Sequence, residues 1–378
     1  MKKAVLMILS CMIFILSISC SESNTDITDT LFGLKKTGSM ELSYAKCFTA
    51  DFYDEGYSLV TIGEQKILIV PKDKPVPEGT EGYTVVQQPV ENIYAASSSS
   101  VDLFDGIGAL DSVTMTSTDI NDWALPDVIN ALESEKMTYI GKYRSPDFEC
   151  LLENECGLAL ENTMIYHSPE TYEKIEELGI PVIVENSSYE EHPLGRMEWI
   201  KLYGLILDKL DTAESFFDAK KEIFDKAADA VSDGDKKTAA FFYVSSSGAI
   251  NIRKPNDYIS KMIELAGGKY IFDAESLNIP ETAVSTMNIQ LESFYKAAKD
   301  ADILIYNSTV DGELDSISDL IEKNSIFADL KAVKKGNVWC TRQNVFQQTT
   351  GAAEMMTDLH SIINGDTDKE LNFLNRLN

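Results

Sequence analysis

The feature that most constrains the fold is a long helical segment in the middle of the chain. Residues 196–232 contain no proline, and their apolar residues recur at the spacing of one helix face. These positions are Trp199, Leu202, Tyr203, Ile206, Leu210, Ala213, Phe217, Phe224, Ala228 and Val231. An unbroken helix of this length would span about 50 Å. Asp211 and Thr212 with Glu214 are also suited to capping a second helix, so a break near Asp211 stays open as an alternative.

Strand-like and helix-like patterns alternate on both sides of this segment. Before it, strands are predicted at residues 83–96, 111–116, 157–162 and 181–185, separated by helices. After it, strands are predicted at 238–244, 249–253, 301–307 and 337–341. Such alternation is typical of mostly parallel sheets covered by helices. We therefore predict an α/β fold with one lobe at 41–195, a single long connecting helix at 196–232, and a second lobe at 233–378.

The amino terminus has the layout of an export signal. Lys2 and Lys3 precede an apolar run at residues 4–18, which is shorter than the roughly 20 residues that cross a bilayer. The run ends in L-S-I-S-C, which resembles the bacterial lipoprotein box, although Ser17 replaces the usual leucine. We predict a signal peptide at 1–19, lipidation of Cys20 and a flexible tether at 20–40, with the protein anchored outside the cytoplasm. Ordinary cleavage and a retained anchor are the alternatives.

Charge and motif content exclude several functions. A net charge of -28 makes nucleic acid a poor partner. The three histidines lie far apart, so no histidine-rich metal site and no cofactor are predicted. The chain lacks G-x-S-x-G, H-E-x-x-H and phosphate-loop motifs, so we expect a monomeric binding protein and not an enzyme. Cys150 and Cys156 are either a disulfide or free thiols.

Candidate ligand contacts lie in loops that follow predicted strands, where open α/β sheets bind ligands. Serines cluster in two of these loops, and four of only five arginines fall at the ends of elements. A planar guanidinium suits carboxylate, phosphate or catecholate oxygens, and a neighbouring aromatic suits a flat ligand. The predicted ligand-binding residues are Tyr94, Ser97, Ser98, Arg144, Arg196, Ser246, Arg253, Trp339 and Arg342. Helix capping by the serines and local ion pairs to Glu198 or Asp257 are the structural alternatives.

Several segments resemble a known protein family. They include M-I-Y-H-S-P-E at 164–170, G-I-P-V-I-V-E at 179–185, H-P-L-G-R-M-E-W-I-K at 192–201 and N-I-R-K-P-N-D-Y-I at 251–259. They are similar to the substrate-binding lipoproteins of bacterial ABC importers that serve ferric siderophores, haem and cobalamin. The resemblance implies two Rossmann-like lobes, a rigid connecting helix and a ligand cleft between the lobes that closes only slightly.

The same resemblance implies partners and a ligand class. Members of this family carry a surface glutamate on each lobe that meets arginines of the membrane permease, and the matching positions are Glu170 and Glu292. The expected partners are the permease, its ATPase and a metal chelate, with a ferric siderophore as the first choice. Cobalamin, haem or an oxyanion such as molybdate are alternative ligands. A lipid-anchored exported enzyme or an adhesion module is the alternative class.

Overall fold

The computed structural model describes residues 30–231, 234–283, 285–366 and 370–378. The predicted signal peptide, Cys20 and the first part of the predicted tether lie outside these residues. Within the described ranges the chain forms three sheets, one at the amino terminus and one in each of two lobes. No helix in this part of the chain is both long and apolar enough to cross a membrane.

The first sheet begins earlier than the sequence indicates. Its strands are β1 (Thr30–Leu31), β2 (Leu34–Ser39), β3 (Thr49–Tyr53), β4 (Ser58–Ile62), β5 (Gln65–Val70) and β6 (Thr84–Gln87), paired in that order. All pairs are antiparallel except β5 with β6. The predicted tether is therefore wrong for residues 30–39. The sequence L-K-K-T-G-S looks polar, but its backbone pairs with β3, and partly buried residues alternate with exposed ones along the strand.

The first lobe has a fully parallel sheet. Its strands are β7 (Ile93–Ala95), β8 (Val113–Thr116), β9 (Thr138–Tyr139), β10 (Leu158–Asn162) and β11 (Val182–Glu185), in the order β11-β10-β7-β8-β9. The helices between them are α1 (Ser98–Gly106), α2 (Pro126–Glu133), α3 (Phe148–Glu153) and α4 (Pro169–Glu177). The order reverses between β7 and β10, as in doubly wound folds, so the carboxyl ends of the strands form one edge where ligands bind in such folds.

The connecting segment is broken into helices α5 (Pro193–Glu198), α6 (Ile200–Ile206) and α7 (Leu210–Asp229). Asp208 adopts a positive φ of 56°, which ends α6, and α7 starts two residues later. Of the two alternatives left by the sequence, the broken helix is therefore the one observed. A Cβ at Gly204 would lie 2.5 Å from the Ala213 Cβ, so glycine lets α6 and α7 cross closely. The long helix that remains, α7, has 20 residues.

The second lobe has a mixed sheet. Its strands are β12 (Thr238–Val244), β13 (Ile250–Arg253), β14 (Lys269–Tyr270), β15 (Thr286–Ile289), β16 (Ile303–Tyr306), β17 (Val338–Thr341) and β18 (Leu374–Arg376). The order is β15-β13-β12-β16-β17-β18, with β14 beside β12. Strands β12, β14, β16 and β17 are parallel, and β13, β15 and β18 are antiparallel to their neighbours. The two-lobed α/β fold predicted from the sequence is confirmed.

Helices cover this second sheet and complete the core. They are α8 (Tyr258–Leu265), α9 (Ala274–Leu277), α10 (Leu291–Ala298), α11 (Ile317–Lys323), α12 (Lys331–Lys334) and α13 (Ala352–Asn364). Short 3₁₀ helices occur at Asp54–Gly56, Leu110–Ser112, Ile120–Asp122, Thr163–His167, Ser187–Tyr189, Ser325–Asp329, Gln343–Phe346 and Thr349–Gly351. Helix α13 packs along α7, and one apolar cluster runs from the first sheet through the connecting helices into the second lobe. The two lobes thus share a continuous core.

Candidate functional site

The two lobes meet at a loop that follows β17. In this loop, Gln347 accepts a hydrogen bond from Ala124 N–H at 2.8 Å and donates one to the Asp122 carbonyl at 2.7 Å. Thr349 Oγ1 donates to the Ser99 carbonyl at 3.0 Å, and Thr350 N–H donates to Asp102 Oδ2 at 2.6 Å. These partners on the first lobe follow β7 and β8. The carboxyl ends of parallel strands in both lobes therefore face the same junction.

A narrow pocket lies beside this junction. It is lined by Arg196 of α5, by residues of α8 that include Tyr258, and by Phe346, Gln348 and Thr349 of the loop after β17. The Arg196 guanidinium lies 4.2 Å from the centre of the Tyr258 ring. Arg253, at the end of β13, lies 4.4 Å from the Phe346 ring and 5.9 Å from the Tyr258 ring. Two of the arginines predicted from the sequence therefore converge on one tyrosine.

Buried acids balance part of this positive charge. Arg253 Nη1 lies 3.4 Å from Asp257 Oδ2, and both side chains are largely buried. Glu185, at the end of β11, is fully buried; burial raises its pKa, while the Ser187 N–H and the charge of Arg196 act in the opposite direction. An arginine stacked on a ring keeps its in-plane N–H groups available. The arrangement can therefore offer guanidinium donors to a planar anionic group next to aromatic rings.

The pocket is nearly closed in this conformation. Its volume is about 20 Å³, which is room for about one water molecule. Small-molecule sites usually enclose about 300–1,000 Å³. In this conformation the pocket is therefore too small for a chelate or a macrocycle.

Other predicted residues lie near the junction or away from it. Ser97 immediately precedes α1 and Ser98 is its first residue. Ser97 Oγ lies 2.9 Å from the Oγ of Ser99, the residue whose carbonyl accepts the hydrogen bond from Thr349. Ser246 lies in the turn after β12 and lines a separate, open groove of about 590 Å³ together with Lys323. Arg144 is exposed and contacts its neighbour Tyr143. The structure brings Arg196 and Arg253 together but places Ser246 in a different groove.

Tyr94 and Trp339, which the sequence predicts as ligand contacts, are both buried. Tyr94 is fully buried, and its hydroxyl is hydrogen-bonded to Ser117. Trp339 is also buried, and its indole N–H donates to Asn337 Oδ1 at 3.1 Å. Both residues lie within strands and not after them, so their rings pack on the faces of the sheets.

Arg342 fits the structural alternative. Its charge acts on the buried carboxyl of Asp358, whose pKa is raised by burial and lowered in part by Phe373, Asn372 and Arg342. Asp358 Oδ2 also accepts the Phe373 N–H, which fixes the chain end beside β17. Arg342 thus stabilises the charged form of the neighbouring Asp358 in this conformation.

Sequence reasoning missed Tyr258 and Phe346, the rings on which the arginines lie. Asp257 caps α8 by accepting the Ile259 N–H at 3.0 Å, and this cap puts Tyr258 at the first position of the helix. Phe346 belongs to the 3₁₀ helix after β17. Phe346 follows β17, so aromatic residues in the loops after strands are the signal that would have indicated it.

The proposed surface glutamates and the two cysteines have clear positions. Glu170 and Glu292 are exposed and lie in the first turns of α4 and α10. Cys150 and Cys156 are free thiols in this structure, and burial raises the pKa of Cys156 to about 11. Of the two alternatives for this pair, the structure has free thiols.

Known proteins resemble this chain both in sequence and in fold. A family model described as periplasmic binding protein matches residues 93–345. An uncharacterized lipoprotein of Methanocaldococcus jannaschii is 26% identical over 354 residues, which cover 87% of this chain and 83% of that protein. The fold is similar to that of the periplasmic heme binding protein HutB of Vibrio cholerae, with a TM-score of 0.58, 15% identity, and coverage of 71% of this chain and 98% of that one.

A second solved structure gives the same result. The petrobactin-binding protein YclQ from Bacillus subtilis aligns with a TM-score of 0.57 and 18% identity, covering 75% of this chain and 94% of that one. The family model spans more than half of the chain and includes most of both lobes and all the connecting helices. The chain belongs to the periplasmic binding protein family.

Proposed function

We propose that this protein is the extracytoplasmic substrate-binding component of an ABC importer, and that it captures an anionic metal chelate, a ferric siderophore, between its lobes. The observation that carries the proposal is the convergence of Arg196 and Arg253 on Tyr258 at the junction of the lobes. Membership of the family supports solute binding. Similarity to proteins named for heme and petrobactin binding supports a chelate as the ligand.

The charge of the chain supports an anionic ligand at this place. The whole chain carries a net charge of -28, so a pocket that is lined by Arg196, with Arg253 near the rings of Tyr258 and Phe346 in its wall, is a local exception. Arg253 shares its charge with Asp257, whereas Arg196 has a ring face as its close contact. Catecholate or carboxylate oxygens match the guanidinium fork, and flat ligand groups match the rings of Tyr258 and Phe346. Haem propionates use the same chemistry, so haem is the second candidate.

Delivery to the membrane completes the proposal. Glu170 and Glu292 lie on different lobes and are exposed at helix starts, where arginines of a permease can reach them. Lipidation of Cys20 keeps the protein next to that permease and its ATPase. The ligand is handed over without chemical change.

Binding assays test the ligand class. Tryptophan fluorescence quenching and calorimetry are used with a ferric tris-catecholate, a ferric hydroxamate, haem, cobalamin and molybdate. We expect the anionic chelate to bind, and Arg196→Ala and Arg253→Ala to weaken it by roughly 10- to 100-fold, as expected for the loss of a hydrogen bond to a charged group. Arg376→Ala is the control because its guanidinium is held by the Gly336 carbonyl. Binding of none of these compounds, or unchanged binding by both arginine variants, would overturn the proposal.

Transport assays test the delivery step. Glu170→Ala and Glu292→Ala should keep the affinity for the chelate and lose uptake in cells. Glu173→Ala, a further exposed residue of α4, is the control. If the affinity falls in the first two variants, these residues contact the ligand and the docking role is wrong.

A further inference from the structure

The first sheet lies outside the part of the chain that matches the family. The family model begins at residue 93, whereas β1 to β6 occupy residues between 30 and 87. The loop between β2 and β3 joins this sheet to the connecting segment. The hydrogen bonds of its backbone to Glu190, Glu198 and Lys201 fall in the stretch that also contains Arg196.

Two buried carboxylates bind this loop through its backbone. Glu198 is fully buried and accepts the N–H groups of Ser43, Tyr44 and Ala45 at 2.8–3.0 Å. Glu190 is 3% exposed and accepts the N–H groups of Lys46 and Cys47 at 2.9–3.0 Å. Consecutive residues 43–47 thus all donate to these two side chains. A buried carboxylate is stable only when such donors surround it.

Further bonds fix the orientation of the two carboxylates. Lys201 Nζ donates to Glu198 Oε1 and to the Glu41 carbonyl, both at 2.9 Å. The Trp199 indole N–H donates to Glu190 Oε1 at 3.0 Å. Each carboxylate therefore connects the loop with a residue of the connecting segment.

Helix α5 lies between this loop and the pocket. A Cβ at Gly195 would lie 3.0 Å from the Tyr44 carbonyl oxygen and 3.2 Å from Glu190 Oε2, so the loop packs directly on the helix backbone. Arg196 and Glu198 are two residues apart, which places their side chains on nearly opposite sides of a helix. Glu198 faces the loop, and Arg196 faces Tyr258.

We infer that Glu190 and Glu198, by fixing residues 43–47 against α5, are positioning residues that hold Arg196 over Tyr258. The first sheet, which lies outside the region matched by the family model, thereby fixes the position of α5 and of Arg196 in the pocket wall. The part of this inference that concerns ligand affinity rests on the proposed function, but the orientation of Arg196 does not.

The orientation is measured in the ligand-free protein. With ¹⁵N-labelled arginine, the chain gives only five Nε–Hε signals, because it has five arginines. The Arg196 signal is identified by its loss in Arg196→Lys, and its unstacked position by Tyr258→Leu. Glu198→Gln replaces one carboxylate oxygen, which accepts backbone N–H groups of the loop, with an NH₂ group that cannot accept them. Gly195→Ala introduces a Cβ about 3.0 Å from the Tyr44 carbonyl oxygen and so pushes the loop away from α5. We expect both variants to move the Arg196 signal toward the unstacked position.

Ile67→Ala is the matched control, because it truncates a fully buried side chain of β5 and changes no residue that takes part in the hydrogen bonds between residues 43–47 and the two glutamates. It should destabilise the sheet and leave the Arg196 signal in place. An Arg196 signal that stays unchanged in both Glu198→Gln and Gly195→Ala, or that moves equally in Ile67→Ala, would overturn the inference. If Glu198→Gln does not fold, Gly195→Ala alone decides.

A double-mutant cycle tests the consequence for binding. With a ferric tris-catecholate as the probe, Glu198→Gln should lower the affinity about tenfold when Arg196 is present and less than about twofold in an Arg196→Ala background. Equal losses in both backgrounds would show that Glu198 acts on the fold alone, which contradicts the inference. If the wild-type protein binds no chelate, the proposed function fails, while the arginine signals still decide the positioning role.

Discussion

Glu161 should make this protein lose stability as the pH rises. The side chain lies on β10 and is fully buried, and in the described part of the chain neither carboxyl oxygen has a hydrogen-bond partner. Burial raises its pKa from 4.5 to about 8. The folded state therefore keeps a proton that the unfolded chain has lost at neutral pH. The contribution of Glu161 to stability is complete below pH 4.5 and falls until the pH passes about 8.

The substitution Glu161→Gln removes this titration and nearly keeps the shape. From the two pKa values, the wild type should lose about 4 kcal/mol relative to the variant between pH 5 and pH 9. Urea unfolding followed by tryptophan fluorescence and circular dichroism at pH 5, 7 and 9 measures this difference. Exposed Glu153→Gln is the control. Parallel stability curves for the wild type and Glu161→Gln across this range would refute the reasoning.

Three further substitutions test the junction of the lobes, the partly buried His192 and the crossing of α6 with α7. Asp102→Ala removes the acceptor of the Thr350 N–H and should cost about 1–3 kcal/mol and speed hydrogen exchange at residues 347–350, with Asp105→Ala as the control. Burial lowers the pKa of His192 to about 4, so the wild type should lose roughly 2 kcal/mol as the pH falls from 6.5 to 4, allowing for partial exposure; His192→Asn should lack this loss in acid-unfolding curves. Gly204→Ala forces a Cβ to 2.5 Å from Ala213 and should cost about 1–3 kcal/mol in thermal unfolding, whereas Gly38→Ala, where the nearest atom is at 4.0 Å, should cost less.

The alternation of strands and helices was sufficient to predict the two lobes. Strands β10, β11 and β16 are short, mostly apolar runs, and such runs are typical of parallel sheets that are buried on both faces. The break in the connecting segment was harder to predict. It depends on the positive φ of Asp208 and on the contact of Gly204 with Ala213, which the helical spacing of apolar residues does not reveal. Strand β2 was missed because backbone pairing, and not apolar composition, holds it.

The candidate site was predicted in part for a similar reason. Arg196 and Arg253 stand out by their rarity and by their places at the ends of elements. Their common ring, Tyr258, is set by a helix cap and by the packing of α8, so only the structure brings the three side chains together. Tyr94 and Trp339 lie buried within strands, and aromatic character alone does not tell whether a ring lies inside a strand or after it.

On the proposed function, the loop at residues 347–350 affects the affinity for the ligand in addition to the side chains that contact the ligand. Its hydrogen bonds to the first lobe hold the junction closed beside a pocket of about 20 Å³, so on the proposed function a chelate binds only after some of them break. The measured affinity is then the intrinsic attraction of the ligand for the open form, reduced by the small fraction of molecules that are open. On the proposed function, substitutions of Gln347, Thr349 or Asp102 would change the affinity for the ligand without changing the side chains that recognise it.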